Sequence, residues 1–273
     1  MAKCGSWPVG ICSWSLQRDI AGVAEAMNRL GIGHVHLAVR PAVGEKGDDY
    51  LAAVQEQSWT ISSTMIDFPQ EDYSTLESIK ITGGIGPDEY WEQNRKLFLD
   101  VVEVTGELGV EYLSMHAGFI DLSSAEYSRK FFDRIRHLAD AAARNQIMLL
   151  LETGQESADE LREFLEKLNH PAVGVNFDPA NMILYDKGEP IEAVRVLKSW
   201  IKHIHIKDAI RTKQAGTWGA EVPWGQGEVG ADAFLRALEE IGFDGALAIE
   251  REAGDDRFGD VRLAVERLSG FRV

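Results

Sequence analysis

Short apolar segments alternate with amphipathic segments along the whole chain. The apolar runs predict eight strands, over residues 9–16, 34–39, 59–66, 112–118, 147–154, 173–178, the start of 201–211, and 246–252. Hydrophobic positions at helical spacing predict helices over residues 19–30, 48–57, 88–108, 124–144, 157–168, 190–198, 231–241 and 257–268. The connection between the third strand and the third helix is expected to be long and polar.

This alternation predicts an α/β fold built on a parallel sheet. Runs such as IMLLLE are apolar at consecutive positions, which is typical of strands buried on both faces beneath helices. Eight strand–helix units in 273 residues favour a single (β/α)8 TIM barrel, with one domain over residues 1–273. A doubly wound open sheet is the alternative, and it is disfavoured because no GxGxxG motif follows an early strand.

Charge and cysteine content narrow the class of protein. The formal net charge of −16 disfavours binding to nucleic acid or to an anionic membrane surface. The N-terminal residues lack the apolar core of a signal peptide, and no apolar run approaches the length of a membrane span. The two cysteines, Cys4 and Cys12, do not have metal-binding spacing, so we expect reduced thiols in a cytoplasmic protein.

Polar residues gather where four of the predicted strands end. The seventh strand carries His205 within IKHIHIKDAIR, and Glu152, Asp178 and Glu250 lie at the ends of strands five, six and eight. In a barrel these ends meet at one mouth. Three carboxylates converging there would repel one another, and a divalent cation would resolve that conflict. Each residue alone also has a structural interpretation, as a solvated charge, an ion pair or a turn residue. Oxygen donors with one imidazole suit Mn²⁺, Mg²⁺ or Co²⁺.

The segments LLLETGQE, VNFDPANM, HIHIKDAIR and AIERE together give the chain a resemblance to a known family. It resembles the xylose isomerase-like TIM-barrel superfamily of sugar and sugar-phosphate isomerases and epimerases. The resemblance implies that Glu152, Asp178, His205 and Glu250 bind a divalent metal, foremost Mn²⁺, with Mg²⁺, Co²⁺ or Zn²⁺ as alternatives. It also implies a small-molecule carbohydrate as substrate, and it allows a homo-oligomer.

Within the superfamily, the ketose 3-epimerases are the closest comparison. This likeness implies that Glu152 and Glu250 exchange protons with the substrate next to its carbonyl, through an enediolate. It also implies that Arg211 contacts the substrate. Asn181 stands where these enzymes have a histidine and is a candidate for substrate binding, since an amide can form a hydrogen bond with a hydroxyl or carbonyl oxygen but cannot carry a proton. Two further residues are candidates for substrate binding from their predicted positions at strand ends, His116 and Trp14.

Other functions on the same scaffold stay open at this point. Chemistry like that of an inosose dehydratase or a hydroxypyruvate isomerase also begins with enolisation. An apurinic endonuclease would need further histidines where Asn181 and the loop WGAEVPWGQGEVG stand. A sugar-binding barrel without catalysis is the remaining alternative. His36 and His203 are expected to lie in the core, and Lys207 is expected to form an ion pair.

Overall fold

The computed structural model describes residues 1–272 and shows eight parallel strands in a closed barrel. Each strand pairs with the next in the chain, and the last pairs with the first, so the sheet closes on itself. The barrel strands are β1 (Trp7–Cys12), β2 (His34–Ala38), β3 (Thr60–Ile66), β4 (Tyr112–Met115), β5 (Met148–Glu152), β6 (Val173–Phe177), β7 (Ile201–Ile206) and β8 (Ala246–Ile249). The prediction of a TIM barrel is confirmed.

Helices surround the barrel and cover the outer face of the sheet. They are α1 (Ile20–Leu30), α2 (Gly47–Gln55), α3 (Leu76–Thr82), α4 (Trp91–Glu107), α5 (Ala125–Arg144), α6 (Ala158–Leu168), α7 (Pro179–Leu184), α8 (Pro190–Leu197), α9 (Ala231–Glu240) and α10 (Arg257–Gly270). A short 3-10 helix spans Arg40–Val43. Of the helices in residues 1–272, none combines the length and apolar character needed to cross a membrane.

Local sequence signals account for several of these boundaries. Ser157 and Glu160 form the expected capping box at the start of α6, each side chain accepting a hydrogen bond from the other's backbone N–H. Gly31 ends α1 with a φ of +66°, a backbone conformation that glycine adopts without steric cost.

Two helices lie where the sequence pattern predicted none. The polar connection after β3 contains α3, whose N-terminus is capped by Thr75 accepting from Ser78 N–H. α7 follows directly after β6, with Pro179 in its first turn. The predicted start of α4 at residue 88 is also wrong, because the helix begins at Trp91, beyond Pro87. Both extra helices are too short to show a helical hydrophobic period.

Two further strands project from the mouth of the barrel. Asp208–Ile210 and Ala220–Val222 pair antiparallel just after β7. The mouth formed by the carboxyl ends of β1–β8 therefore carries an additional two-stranded sheet. The short strand Lys3–Cys4 lies at the opposite, amino-terminal end of the barrel, where it pairs with the start of β1.

Candidate active site

Four buried residues converge where β5, β6, β7 and β8 end. His205 Nδ1 lies 3.0 Å from Glu152 Oε1, 3.4 Å from Asp178 Oδ2 and 3.3 Å from Glu250 Oε2. All four side chains are buried, and their nearest donor atoms lie within 4.8 Å of one another. The structure thus brings together the four residues that the sequence pattern placed at one mouth. We call them the four-residue cluster.

The backbone around Asp178 aims one carboxylate oxygen at this cluster. Asp178 Oδ1 accepts hydrogen bonds from Ala180 N–H and Asn181 N–H, and so caps the N-terminus of α7. The Thr153 hydroxyl exchanges hydrogen bonds with the backbone N–H and carbonyl of Asp178. Asp178 Oδ2 and His205 Nδ1 have no hydrogen-bond partner within residues 1–272. Buried polar atoms are normally paired, and these two atoms belong to residues that could hold a metal ion.

The other edge of His205 is held by a second set of buried groups. His205 Nε2 lies 2.9 Å from His36 Nδ1 and 3.1 Å from Asn176 Nδ2. His36 Nε2 in turn lies 3.2 Å from the Thr64 carbonyl oxygen. Burial holds the pKa of His36 well below its usual value, and burial raises the pKa of the nearby Cys12 thiol to about 12. Neutral partners therefore fix the orientation of His205 without adding charge.

His203 lies one layer deeper, as expected for a core histidine. Its Nδ1 is 2.9 Å from Asn176 Oδ1, and its Nε2 is 3.0 Å from the Ser62 hydroxyl. Burial lowers its pKa well below the usual value, and the neighbouring His36 adds to that effect.

Lys207 gives the two glutamates of the cluster different electrostatic surroundings. Its ammonium donates to Glu250 Oε2 at 2.8 Å and to Glu252 Oε2 at 2.6 Å. Burial alone would raise the pKa of Glu250, but Lys207 and then His205 outweigh burial and hold it well below its usual value. Burial raises the pKa of Glu152, and His205 offsets only part of that increase. Glu152 is therefore the more basic carboxylate of the two.

Two predicted substrate-binding residues contact the cluster. Trp14, just after β1, donates its indole N–H to Glu250 Oε1 at 2.8 Å. Asn181 lies between Glu152 and Lys207, at 3.4 Å from each through its amide nitrogen and oxygen. These contacts fix the positions of both carboxylates. Whether either side chain also binds substrate stays a prediction.

Arg211 is engaged at the rim of the barrel mouth. Its guanidinium donates to Asp186 Oδ1 at 2.6 Å, to the Gly188 carbonyl at 3.0 Å and to Glu189 Oε1 at 3.1 Å. Its predicted contact with substrate therefore requires competition with two carboxylates, and it stays a prediction.

His116 lies just after β4 and is buried at the mouth. Its Nδ1 is 3.1 Å from Glu71 Oε1, and its Nε2 has no hydrogen-bond partner in the described part of the chain. Sequence reasoning missed Glu71 because it lies in the polar connection after β3, among other charged residues. No spacing rule links that connection to a residue more than forty positions further on.

Comparison with known proteins agrees with this geometry. Residues 24–269 match the family described as xylose isomerase-like TIM barrel. Among solved structures, the chain is similar to a xylose isomerase domain protein from Planctomyces limnophilus, with 31% sequence identity and a TM-score of 0.87. That match covers 97% of this chain and 96% of the other.

Two more distant structures share the fold. One is the probable 3-DHS dehydratase AsbF from Bacillus anthracis, with 17% identity, a TM-score of 0.76 and coverage of 96% of this chain and 99% of that one. The other is a D-tagatose 3-epimerase-like protein, with 18% identity, a TM-score of 0.69 and coverage of 96% and 97%. Comparison with curated proteins gives no significant match. The match over residues 24–269 shows that the chain belongs to the xylose isomerase-like TIM-barrel family.

Proposed function

We propose that the protein is a divalent-metal-dependent isomerase or epimerase that acts on a ketose or ketose phosphate. The observation that carries this proposal is the pair Glu152 and Glu250, two buried carboxylates beside one imidazole at the barrel mouth. Such a pair suits removal of a proton from carbon next to a carbonyl and its return elsewhere. Family membership supports the same class of chemistry.

The four-residue cluster fits a divalent cation. Its distances of 3.0 to 3.4 Å from His205 Nδ1 to three carboxylate oxygens match the edges of a coordination shell. Ligands about 2.1 Å from a metal lie roughly 3.0 Å apart in octahedral and roughly 3.4 Å apart in tetrahedral geometry. Within residues 1–272, Asp178 Oδ2 and His205 Nδ1 also lack hydrogen-bond partners. Three oxygens and one nitrogen suit Mn²⁺ first, then Mg²⁺, Co²⁺ or Zn²⁺.

A bound divalent cation supplies Lewis-acid polarisation of the substrate carbonyl and stabilises the negative charge of the enediolate. The chain supplies the proton transfers. We assign the proton transfers with carbon to Glu152 and Glu250, because Asp178 Oδ1 is already held by the N–H groups of Ala180 and Asn181. An epimerase returns the proton to the opposite face of the same carbon, and an isomerase returns it to the neighbouring carbon.

The surrounding residues hold these carboxylates in fixed positions. Both oxygens of Glu250 accept hydrogen bonds, one from Trp14 and one from Lys207. Asn181 lies against Glu152 and can donate a hydrogen bond but no proton. Asn181 therefore positions Glu152 without itself titrating.

Deuterium exchange tests the proposal. The protein is loaded with Mn²⁺ in D₂O and given free ketoses, ketose phosphates and inosose, and deuterium on carbon is followed by NMR. We expect exchange with at least one compound, and a loss of roughly 10²-fold or more in Glu152→Gln. Glu166→Gln, on the exposed face of α6, is the matched control and should exchange like the wild type.

The products of that experiment separate the alternatives. Deuterium at carbon 3 together with a new epimer supports an epimerase, whereas loss of water from inosose supports a dehydratase. Equal exchange in wild type and Glu152→Gln, or none with any compound, would exclude the proposal.

A further inference from the structure

The Glu71 carboxylate is a fixed acceptor for His116. Glu71 Oε1 accepts the Gly84 N–H at 2.9 Å, and Oε2 accepts the Phe68 N–H at 3.1 Å. The same Oε1 lies 3.1 Å from His116 Nδ1, and both side chains are about 5% exposed or less. An ionised carboxylate only accepts hydrogen bonds, so His116 Nδ1 carries the hydrogen. In the neutral ring, Nε2 is then a hydrogen-bond acceptor.

Glycines bring the connection after β3 close to the end of β4. A Cβ on Gly83 would lie 2.9 Å from His116 Cε1, and one on Gly84 would clash with the Ala117 carbonyl. Gly84 also has a φ of +60°, which glycine adopts readily. The connection after β3 and the end of β4 can therefore approach closely only because glycines stand at the contact. This approach places Glu71 beside His116.

His116 Nε2 belongs to the same mouth as the four-residue cluster. Two aromatic rings lie edge-on to the His116 ring. The centroid of Tyr73 is 5.8 Å from that of His116, and the centroid of Phe119 is 6.4 Å from it. Tyr185 packs against Phe119 at 6.0 Å. Burial raises the pKa of Tyr185, and the charges of both Glu152 and Glu71 add to the increase. Tyr185, at the end of α7, is thus linked to His116 through the ring of Phe119.

Two further side chains supply buried hydrogen-bond donors, Gln155 and Trp218. Gln155 Nε2 and Trp218 Nε1 are buried, and neither donates a hydrogen bond to any of residues 1–272. The Trp218 ring lies edge-on to the Tyr185 ring, with 4.6 Å between their centroids, and Gln155 comes shortly after the end of β5. An acceptor at His116 together with donors at Gln155 and Trp218 suits hydroxyl groups, which both donate and accept.

Three of the cations that follow β7 and β8, all mostly buried, are already neutralised by carboxylates. Their ion pairs are Lys207 with Glu250 and Glu252, Arg211 with Asp186 and Glu189, and Arg251 with Glu221 and Asp260. Recognition of a phosphate or carboxylate depends on such cations being available to the ligand. At these three positions an anionic substrate would have to displace carboxylates, and near His116 it would face the carboxylate of Glu71.

We propose that the Glu71–His116 pair accepts a hydroxyl group of the substrate, away from the metal, and that the substrate is an uncharged carbohydrate. This inference rests on the proposed function and narrows its substrate class. His116 Nε2 accepts the hydroxyl hydrogen, and Glu71 acts as a positioning residue that holds the ring in the required tautomer. A sugar phosphate or a sugar acid is selected against by the charge at the mouth.

Matched substrates test the charge selection. The Mn²⁺-loaded protein is incubated in D₂O with free ketohexoses and inosose, and in parallel with the same ketohexoses carrying a 6-phosphate. We expect deuterium exchange with an uncharged compound and at least tenfold slower exchange, as kcat/KM, with the phosphates. Faster exchange with a phosphate would overturn this inference while leaving the proposed function intact. Exchange with none of the compounds would overturn both.

Variants test the pair itself. His116→Asn and Glu71→Gln should each lower kcat/KM for the uncharged substrate by roughly 10- to 100-fold, the effect of one lost hydrogen bond to a charged or oriented partner. His137→Asn and Glu77→Gln are the exposed controls. Mn²⁺ affinity and thermal unfolding should change little in either variant of the pair, since neither residue contacts the four-residue cluster within residues 1–272.

Nitrogen-15 NMR of the imidazole gives a readout that loss of folding would not mimic. The spectrum of His116, assigned through His116→Asn, should show the hydrogen on Nδ1 in the wild type. In Glu71→Gln it should shift toward the Nε2–H form, because the new amide can donate to Nδ1. A hydrogen on Nε2 in the wild type, or unchanged kcat/KM in both variants, would refute the role of the pair.

Discussion

Replacing Lys207 by methionine separates its structural contribution from its effect on the proposed metal site. The Lys207 ammonium lies 2.8 Å from Glu250 Oε2, 2.6 Å from Glu252 Oε2 and 3.7 Å from Asp178 Oδ2. Methionine keeps the length and the apolar stem of the side chain but removes the charge. We therefore expect opposite effects on the stability of the metal-free protein and on metal affinity.

The expected loss of stability follows from these distances. At an effective dielectric constant of 20, one pair at 2.8 Å is worth about 6 kcal/mol before desolvation is counted. Removing one partner of a buried pair costs roughly 3–5 kcal/mol in proteins. For a chain of this length that corresponds to a Tm lowered by roughly 6–20 °C.

Metal binding should change in the other direction. Loss of the ammonium makes the electrostatic potential at Asp178 and Glu250 more negative. A divalent cation in the cluster should therefore bind more tightly. Saturating Mn²⁺ should then restore more stability to Lys207→Met than it adds to the wild type. A ligand at 100 times its Kd adds about 2.7 kcal/mol to the folded state, so a tighter site adds visibly more.

Urea unfolding in EDTA and in Mn²⁺ measures both effects on the same samples. Isothermal titration calorimetry gives the Mn²⁺ affinity directly, and Lys213→Met, at an exposed position, is the control. A loss below about 1 kcal/mol in EDTA would show that Lys207 contributes no more than a surface ion pair. Weaker Mn²⁺ binding in the variant would refute the electrostatic argument.

Three other changes test separate parts of the structure. Burial raises the pKa of Glu156 to about 8 from the ordinary 4.5, so ionisation of this carboxyl opposes folding. The protonated carboxyl contributes its full stabilisation of the fold below pH 4.5, and that contribution is lost as the pH rises through 8. Urea unfolding should therefore show Glu156→Gln more stable than the wild type by about 3 kcal/mol at pH 7 and by less than about 1 kcal/mol at pH 5. A Cβ on Gly154 would lie 2.6 Å from Asn181 Cβ at a φ of +152°, so Gly154→Ala should lower stability by about 1–3 kcal/mol in thermal unfolding. Trp14→Phe removes the 2.8 Å hydrogen bond to Glu250, and titration calorimetry should show metal affinity altered while the fold, followed by circular dichroism, is kept.

The barrel was predictable from the sequence because most of its strands are apolar enough to identify alone. β5 and β7 are short runs in which nearly every residue is buried, and such runs occur in parallel sheets covered by helices. The four-residue cluster was predictable for a related reason. Each member stands at a strand end, and the fold brings all strand ends to one mouth, so position along the chain fixes position in space.

The residues between the strands did not follow from such a rule. Glu71 reaches His116 only because a connection of more than twenty residues folds back against β4, with Gly83 and Gly84 at the contact. No periodicity in the sequence encodes that return. α7 was missed because its six residues show no hydrophobic period, and its stability comes from Asp178, which serves as its cap.

Asp178 shows how the chain links its fold to its chemistry. One carboxylate oxygen caps α7, and the other faces His205 Nδ1 at 3.4 Å. α7 then carries Asn181 to a point between Glu152 and Lys207. If Asp178 were replaced by alanine, the cluster would lose a donor and α7 its cap, and Asn181 would lose its position. The neutral amide at Asn181 matters for the same reason, because it links Glu152 to Lys207 without adding a titrating group between them. The surroundings of Glu152 thus depend on α7, a helix that begins at Asp178 of the four-residue cluster.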